Sequence, residues 1–340
     1  LLSGVKEPNI VFSPPQYICK KTNKEFNLDG NINKPFWEDA PWSSDFVDIE
    51  GDLKPKPSKK TRFKMLWDED YLYFGAYMEE DSIWATLTER DSVIFHDNDF
   101  EIFIDPDGDT HNYYEFEMNA LNTIWDLFLP KPYRDNGIPV NSFDIRGIKT
   151  AVYIDGELNN PSADNKGWSV EVAMPWTVLI ECAKEKRKPV HGEYWRINFS
   201  RVEWKTKIEN NSYVKCLNID TNKPYPEDNW VWAPTGVINI HYPELWGFVW
   251  FAETDDTDFI IPEDEIIKWE LRKLYYRQRN YYEKNKKYSS DFNELKGEDK
   301  FNIFPQIEIT SSLFQMSVKL KDGKHRICIR EDGFVWKELL

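Results

Sequence analysis

The chain has no run of 18 apolar residues, which removes a membrane-spanning helix from consideration. It has no CxxC either. Cys19, Cys182, Cys216 and Cys328 stand far apart, so thiolate zinc sites and thioredoxin-like chemistry lack their spacing, and the four read as buried thiols or one disulfide. The histidines His96, His111, His191, His241 and His325 form no HExxH or HxH pair, and no GxSxG, GxGxxG or GxxxxGKS occurs. Zincin, α/β-hydrolase and nucleotide-phosphate chemistry therefore have no motif to rest on. Positive charge is also scarce: 43 Lys and Arg against 59 Asp and Glu, net −16. That balance repels phosphate backbones, and nucleic acid is not expected as a partner. No signal peptide opens the chain, which starts at Leu1 without Met as a processed protein would.

Aromatic residues are abundant instead, at 16% with 15 Trp, more than a core of this size needs, so some rings are expected to serve recognition. The acidic excess is local. Residues 258–340 hold 16 basic and 15 acidic side chains, which leaves a net −17 in residues 1–257. The character of the chain changes at the same place. Pro262 and three acidic residues open a helix expected over 263–287, with strands after it near 301–309, 313–320, 325–330 and 333–337. The expected organisation is a β domain over 1–257 and a small α+β module over 258–340, with Asp255 to Asp258 as linker.

Within 1–257, short period-two segments bounded by turn residues recur at 61–66, 71–77, 99–105, 113–120, 123–129, 148–154, 167–173 and 194–204. This pattern predicts a mainly β fold, an antiparallel β-sandwich or barrel. Gln16–Lys20 is expected as an edge strand, and 177–187 as the domain's one helix. NWVWAP at 229–234 and PELWGFVWF at 243–251 add four tryptophans that line either a core or a groove.

The pivotal stretch is 91–126. With a turn near Asp109, alternation puts Phe100, Ile102, Ile104, Tyr114, Phe116 and Met118 on one face of a hairpin. Asp99, Glu101, Glu115, Glu117 and Asn119 fall on the other, with Glu101 opposite Glu117 and Asp99 opposite Asn119. Like charges directly opposite each other are unfavourable, so an arginine, a metal or the hydroxyls of a ligand is expected to approach. Glu171 and Arg196 or Arg201 are candidates to join from other strands. Carboxylates and amides beside aromatic rings suit a sugar, whose hydroxyls bond in pairs and whose C–H face stacks on rings; the competing reading is a solvated sheet face. Glu101 and Glu117 are also close enough for a retaining glycosidase pair. Asp105, Asp107 and Asp109 alternate in a Gly-containing loop, as calcium ligands often do, although Gly108 is fourth rather than sixth as in an EF-hand. The alternative there is an acidic turn held by water.

The succession LDGNINKPFWEDAPW, FKMLWDEDYLYFGAYM, HDNDFEIFIDPDGDTHNYYEFEMNA, GWSVEVAMPW and YWRINFSRVEW, followed by NWVWAP and PELWGF, resembles the family 9 carbohydrate-binding modules over residues 27–251. The resemblance implies a DOMON-like β-sandwich, often with structural calcium, that binds a glycan or oligosaccharide between two aromatic rings without catalysis, in an extracellular or periplasmic protein. Matched residue by residue, Phe95 falls at one sandwiching ring, Glu101 at a polar ligand, Asn119 at the amide ending the next strand, and Asn229 with Trp232 at the second amide and ring. Phe95 replaces a tryptophan and Glu117 stands where a basic residue is expected; Arg201 is the cation carried with this set. DOMON-like sandwiches also hold haem, for which Met118 or His111 would serve as axial ligand. The segment LRKLYYRQRNYYEKNKKYSSDFNEL loosely resembles the helix-plus-sheet part of pilin-like proteins.

Overall fold

The computed structural model describes residues 2–340. The strands of the first part are β1 (Gln16–Lys21), β2 (Val47–Asp48), β3 (Thr61–Trp67), β4 (Tyr71–Glu79), β5 (Asp99–Asp105), β6 (Tyr113–Asn119), β7 (Ile124–Leu129) and β8 (Lys149–Asp155). They are followed by β9 (Gly167–Pro175), helix α1 (Trp176–Leu179), β10 (Tyr194–Glu203), β11 (Thr206–Glu209), β12 (Ser212–Lys215), β13 (Asp228–Val231) and β14 (Gly247–Ala252). Their order is β7-β6-β5-β10-β14-β1-β3-β4-β9-β8, with β13 and β2 on the flank of β10. The path curls so that its halves face each other as a sandwich. Phe63 of β3 stacks on Phe199 of β10 with ring centroids 3.9 Å apart, and Phe74, Val170, Ile102, Phe116 and Val249 close the same core.

Two local expectations are corrected and one further hairpin is added. β1 is central, not an edge strand: it runs parallel to both β14 and β3, and Tyr17 and Cys19 are buried. Its Tyr17 hydroxyl donates to Pro41 O at 2.7 Å and accepts from Met65 N at 2.9 Å, which fastens the corner where the halves meet. The helix expected over 177–187 shrinks to α1 and one further turn ending at Cys182. The KEKRK run that follows offers no apolar face to bury. A hairpin, β11–β12, turns at Asn210 and Asn211, both at positive φ, a conformation asparagine tolerates.

The second part comprises α2 (Glu263–Asn285), α3 (Phe292–Lys296) and a meander of β15 (Gln306–Ile309), β16 (Phe314–Lys319), β17 (His325–Arg330) and β18 (Val335–Leu339). Its core is not drawn from 258–340 alone. Val5, Val237, Tyr242 and Leu245 pack in it with Leu271, Leu274, Met316 and Ile329. Phe12 stacks on Trp269 at 5.1 Å, and Val5 exchanges two 2.8 Å hydrogen bonds with the Asn280 amide. A boundary at 257/258 thus crosses a shared core. All four thiols are free, and among the described residues no helix is long and apolar enough to cross a membrane.

Candidate functional site

The β5–β6 register is the one the alternation predicts: Asp99 opposes Asn119 and Glu101 opposes Glu117. Following the pairs outward on the same face gives a row Trp125, Glu117, Glu101, Ser200 across β7, β6, β5 and β10. A second row reads Asn119, Asp99, Val202, Asn229. Below them Leu127, Glu115, Phe103 and Asn198 form a third. The face is not a solvated one. Asp99, Glu101, Glu115 and Glu117 are 0%, 5%, 6% and 1% exposed, because loops and an apolar cluster of Phe103, Tyr113, Leu127, Leu129 and Trp246 cover the sheet around them.

Asp99, Glu101 and Glu117 each present an oxygen within 4.8 Å of the others. Two of the carboxylates have a fixed donor, Val202 N–H to Asp99 Oδ1 at 3.2 Å and Phe95 N–H to Glu117 Oε2 at 3.0 Å, and Ser200 is the direct cross-strand neighbour of Glu101. Asp99 Oδ2 and Glu115 Oε2 are buried without a partner. Among the described residues no lysine or arginine forms an ion pair with any of the four. Burial raises all four carboxyls above the usual range, Glu101 to about 7, and for Asp99, Glu115 and Glu117 the Glu101 charge adds to it. Protonation is easiest here because the charged forms lose water and repel each other.

Aromatic side chains ring this acidic floor. The backbone of half-buried Phe95 is tied to this group, its N–H donating to Glu117 and its carbonyl accepting from Trp204 Nε1 at 2.8 Å. Trp125 is the direct cross-strand neighbour of Glu117. Tyr133, 41% exposed, lies close enough to Glu115 and Glu117 for their charges to raise its hydroxyl, after burial. The sequence reading missed Trp125 and Tyr133. Period two along ThrIleTrpAspLeuPheLeu carried the signal for Trp125; the loop position of Tyr133 carried none.

Other candidates lie elsewhere. Trp232 is 3% exposed in the sandwich core, edge-on to Phe63 at 5.0 Å. A Cβ on Gly247 would meet its ring at 2.1 Å, so glycine is what permits that packing. Trp232 is therefore a core ring and not a stacking platform. Arg201 follows Ile197 and Phe199 onto the core side of β10, where it is 1% exposed and bonds Glu80 Oε2 at 2.7 Å, Glu203 Oε2 at 3.0 Å and Thr61 Oγ1 at 3.1 Å. It cannot reach Glu101 through the sheet. Asn119 is fully buried and bonded on both ends, donating to Leu87 O and Asp97 Oδ2 and accepting from Leu121 and Thr123 N–H; it secures a turn. Asn229 shares the outer face, with Val202 between it and Asp99. Glu171 lies on the other half, receiving Trp37 Nε1 at 2.7 Å and the Asp29 and Gly30 N–H groups. Arg196 reaches Glu265 Oε2 at 3.1 Å and backbone carbonyls of Glu244 and Trp246. Met118 faces the core, and His111 Nε2 meets Asp332 O at 3.1 Å; neither is placed as a haem ligand.

Asp105, Asp107 and Asp109 do converge, with oxygens within 4.8 Å of one another. Asp105 accepts from Gly108 and Thr110 N–H, and Asp109 Oδ1 from His111 N–H at 2.7 Å. Burial, then neighbouring carboxylates, raise Asp105 and carry Asp109 to about 7. The loop borders a cleft of ≈ 510 Å³ between sandwich and C-terminal module, with Lys268 and Trp336 among its walls.

The family model described as carbohydrate family 9 binding domain-like matches residues 28–212. A family 9 carbohydrate-binding module from Caldicellulosiruptor kristjanssonii, solved in complex with glucose, is 16% identical over 73% of this chain and 100% of its own, with a TM-score of 0.46. The same module in complex with cellotriose gives 16%, 73%, 98% and 0.44. A protein from Bacteroides uniformis described as carbohydrate-binding is 14% identical over 70% of this chain and all of its own, with a TM-score of 0.50, a likeness of fold. No curated protein matches the chain. With more than half its length matched by the family model, the chain belongs to the carbohydrate family 9 binding domain-like proteins.

Proposed function

We propose that the chain binds carbohydrate without turning it over, on the outer face of β5, β6 and β7. The observation that carries this reading is the row Trp125, Glu117, Glu101, Ser200, in which acceptors for sugar hydroxyls lie beside a ring able to cover a pyranose face. Phe95 and Tyr133 extend the aromatic rim. Family membership supports the same reading and is the ground for expecting the protein outside the cytoplasm. Titration calorimetry with glucose, cellotriose and a wider glycan panel tests it, with product analysis alongside because Glu101 and Glu117 are adjacent carboxylates. Heat of binding with intact glycan is the expected result; release of reducing sugar would make the pair catalytic instead.

In the same reading Asp105, Asp107 and Asp109 hold a structural calcium ion. Three carboxylate oxygens at this separation fit a shell of about 2.3 to 2.6 Å radius, and an ion there would offset their mutual repulsion and pin the loop that contacts Gly333 and Asp332. EDTA is expected to lower the melting temperature of the wild type by more than that of Asp107→Asn.

A further inference from the structure

We propose that Asp99, Glu101 and Glu117, with Glu115 beside them, form a second site for one hard divalent cation such as calcium, and that carbohydrate binding at this face depends on it. The dependence on carbohydrate rests on the functional reading above; the ion site does not. Oxygens of Asp99, Glu101 and Glu117 lie within 4.8 Å of one another, close enough to share one ion whose oxygen ligands stand at about 2.0 to 2.6 Å. Two independent features point into this space. Asp99 Oδ2 and Glu115 Oε2, on side chains 0% and 6% exposed, have no hydrogen-bond partner, and no arginine or lysine among the described residues pairs with the group. An all-carboxylate donor set selects a hard cation over zinc or copper. The other charges that act on the group, Asp97 and Glu227, are also acidic.

With exposures of 0 to 6% on the four carboxylates, a dehydrated ion fits among them. In the functional reading, a sugar would approach this group through its hydroxyls, at positions of the ion not taken by protein oxygen.

Calcium alone, titrated calorimetrically, and terbium luminescence sensitised by nearby tryptophan give the test. Asp99→Asn/Glu117→Gln is expected to bind one equivalent fewer than wild type and to lose the corresponding rise in melting temperature, whereas Asp107→Asn keeps that equivalent. Folding of the double variant is checked by its melting curve in EDTA; should it fail to fold, Glu115→Gln is expected to weaken the site at least tenfold. Unchanged stoichiometry in a folded double variant, or unchanged affinity in Glu115→Gln, overturns the ion site. Calcium bound at this site but no glycan bound with it would remove the carbohydrate reading alone.

Discussion

The β5–β6 hairpin carries two groups of buried charge with opposite character. Toward its turn it abuts a network in which Arg279 bonds Asp135 at 2.6 Å, Arg134 bonds Glu244 at 2.9 Å, and Arg272 donates to Gly333 O at 2.6 Å and to Thr110 Oγ1. Tyr275 and Tyr276 donate to the same two acids. Burial alone would raise Glu244, but Arg134 and Arg272 hold it below the usual range. On its strands the hairpin carries Asp99, Glu101, Glu115 and Glu117 with no cation, all raised. The first group balances its charges within the protein, although Arg272 Nη1 has no hydrogen-bond partner, and it joins the two parts. The second is left unbalanced, and buried charge without compensation is costly, which is the physical argument that its partner comes from solution.

The sharpest way to break this comparison is to remove one acid from each group. Asp135→Ala strands Arg279 in the interior and is expected to cost about 3 to 5 kcal/mol, read by chemical denaturation. Residues 1–257 expressed alone lose Arg272 and Arg279 together and are expected to be molten or insoluble. Glu117→Gln should do the reverse and raise the melting temperature in EDTA. A fall comparable to that of Asp135→Ala would mean that the acidic floor is structurally satisfied.

Next in size is the contrast between two tryptophans. Trp232→Ala empties a core position and is expected to lower stability by about 3 to 5 kcal/mol. Trp125→Ala, at a half-buried ring packed on the Phe103 cluster, should cost less stability than Trp232→Ala and weaken glycan binding by about 2 kcal/mol, the usual loss for an aromatic anchor. Equal destabilisation by both would return the rim to the core.

The remaining contrast is in pH dependence. In EDTA, Glu101 holds its proton to about 7 when folded, against an ordinary value of 4.5. Between those values the folded state binds more protons than the unfolded one, so stability should fall as pH rises from about 4.5 to 7 and level off above. Asp97, Tyr133 and Glu227 face the same group and shift the window without changing its sign. Calcium should flatten the slope. A slope that is the same in EDTA and in calcium would detach these acids from any ion.

The hairpin register was legible because period two and one turn fix it, and once it is fixed Glu101 must oppose Glu117. The side of Arg201 was legible in the same way, since it continues the set Trp195, Ile197, Phe199. Trp232 was not: Trp230 and Trp232 share a face, but which face is buried follows only from the pairing of β13 with β10. The edge reading of β1 failed similarly. A strand flanked by prolines and ending in two lysines looks peripheral until two parallel neighbours from distant parts of the chain are seen to pair with it.

The sequence by itself determined the β-sandwich class, the acidic hairpin face, the Asp105, Asp107, Asp109 loop and the α2 helix, because each depends on residues close together in the chain. Only the tertiary structure decided that the acidic face is buried, that no arginine reaches it, and that Val5 and Tyr242 belong to the core under α2. Burial and charge compensation depend on which distant segments arrive, and that is set by packing of the whole chain rather than by any local pattern.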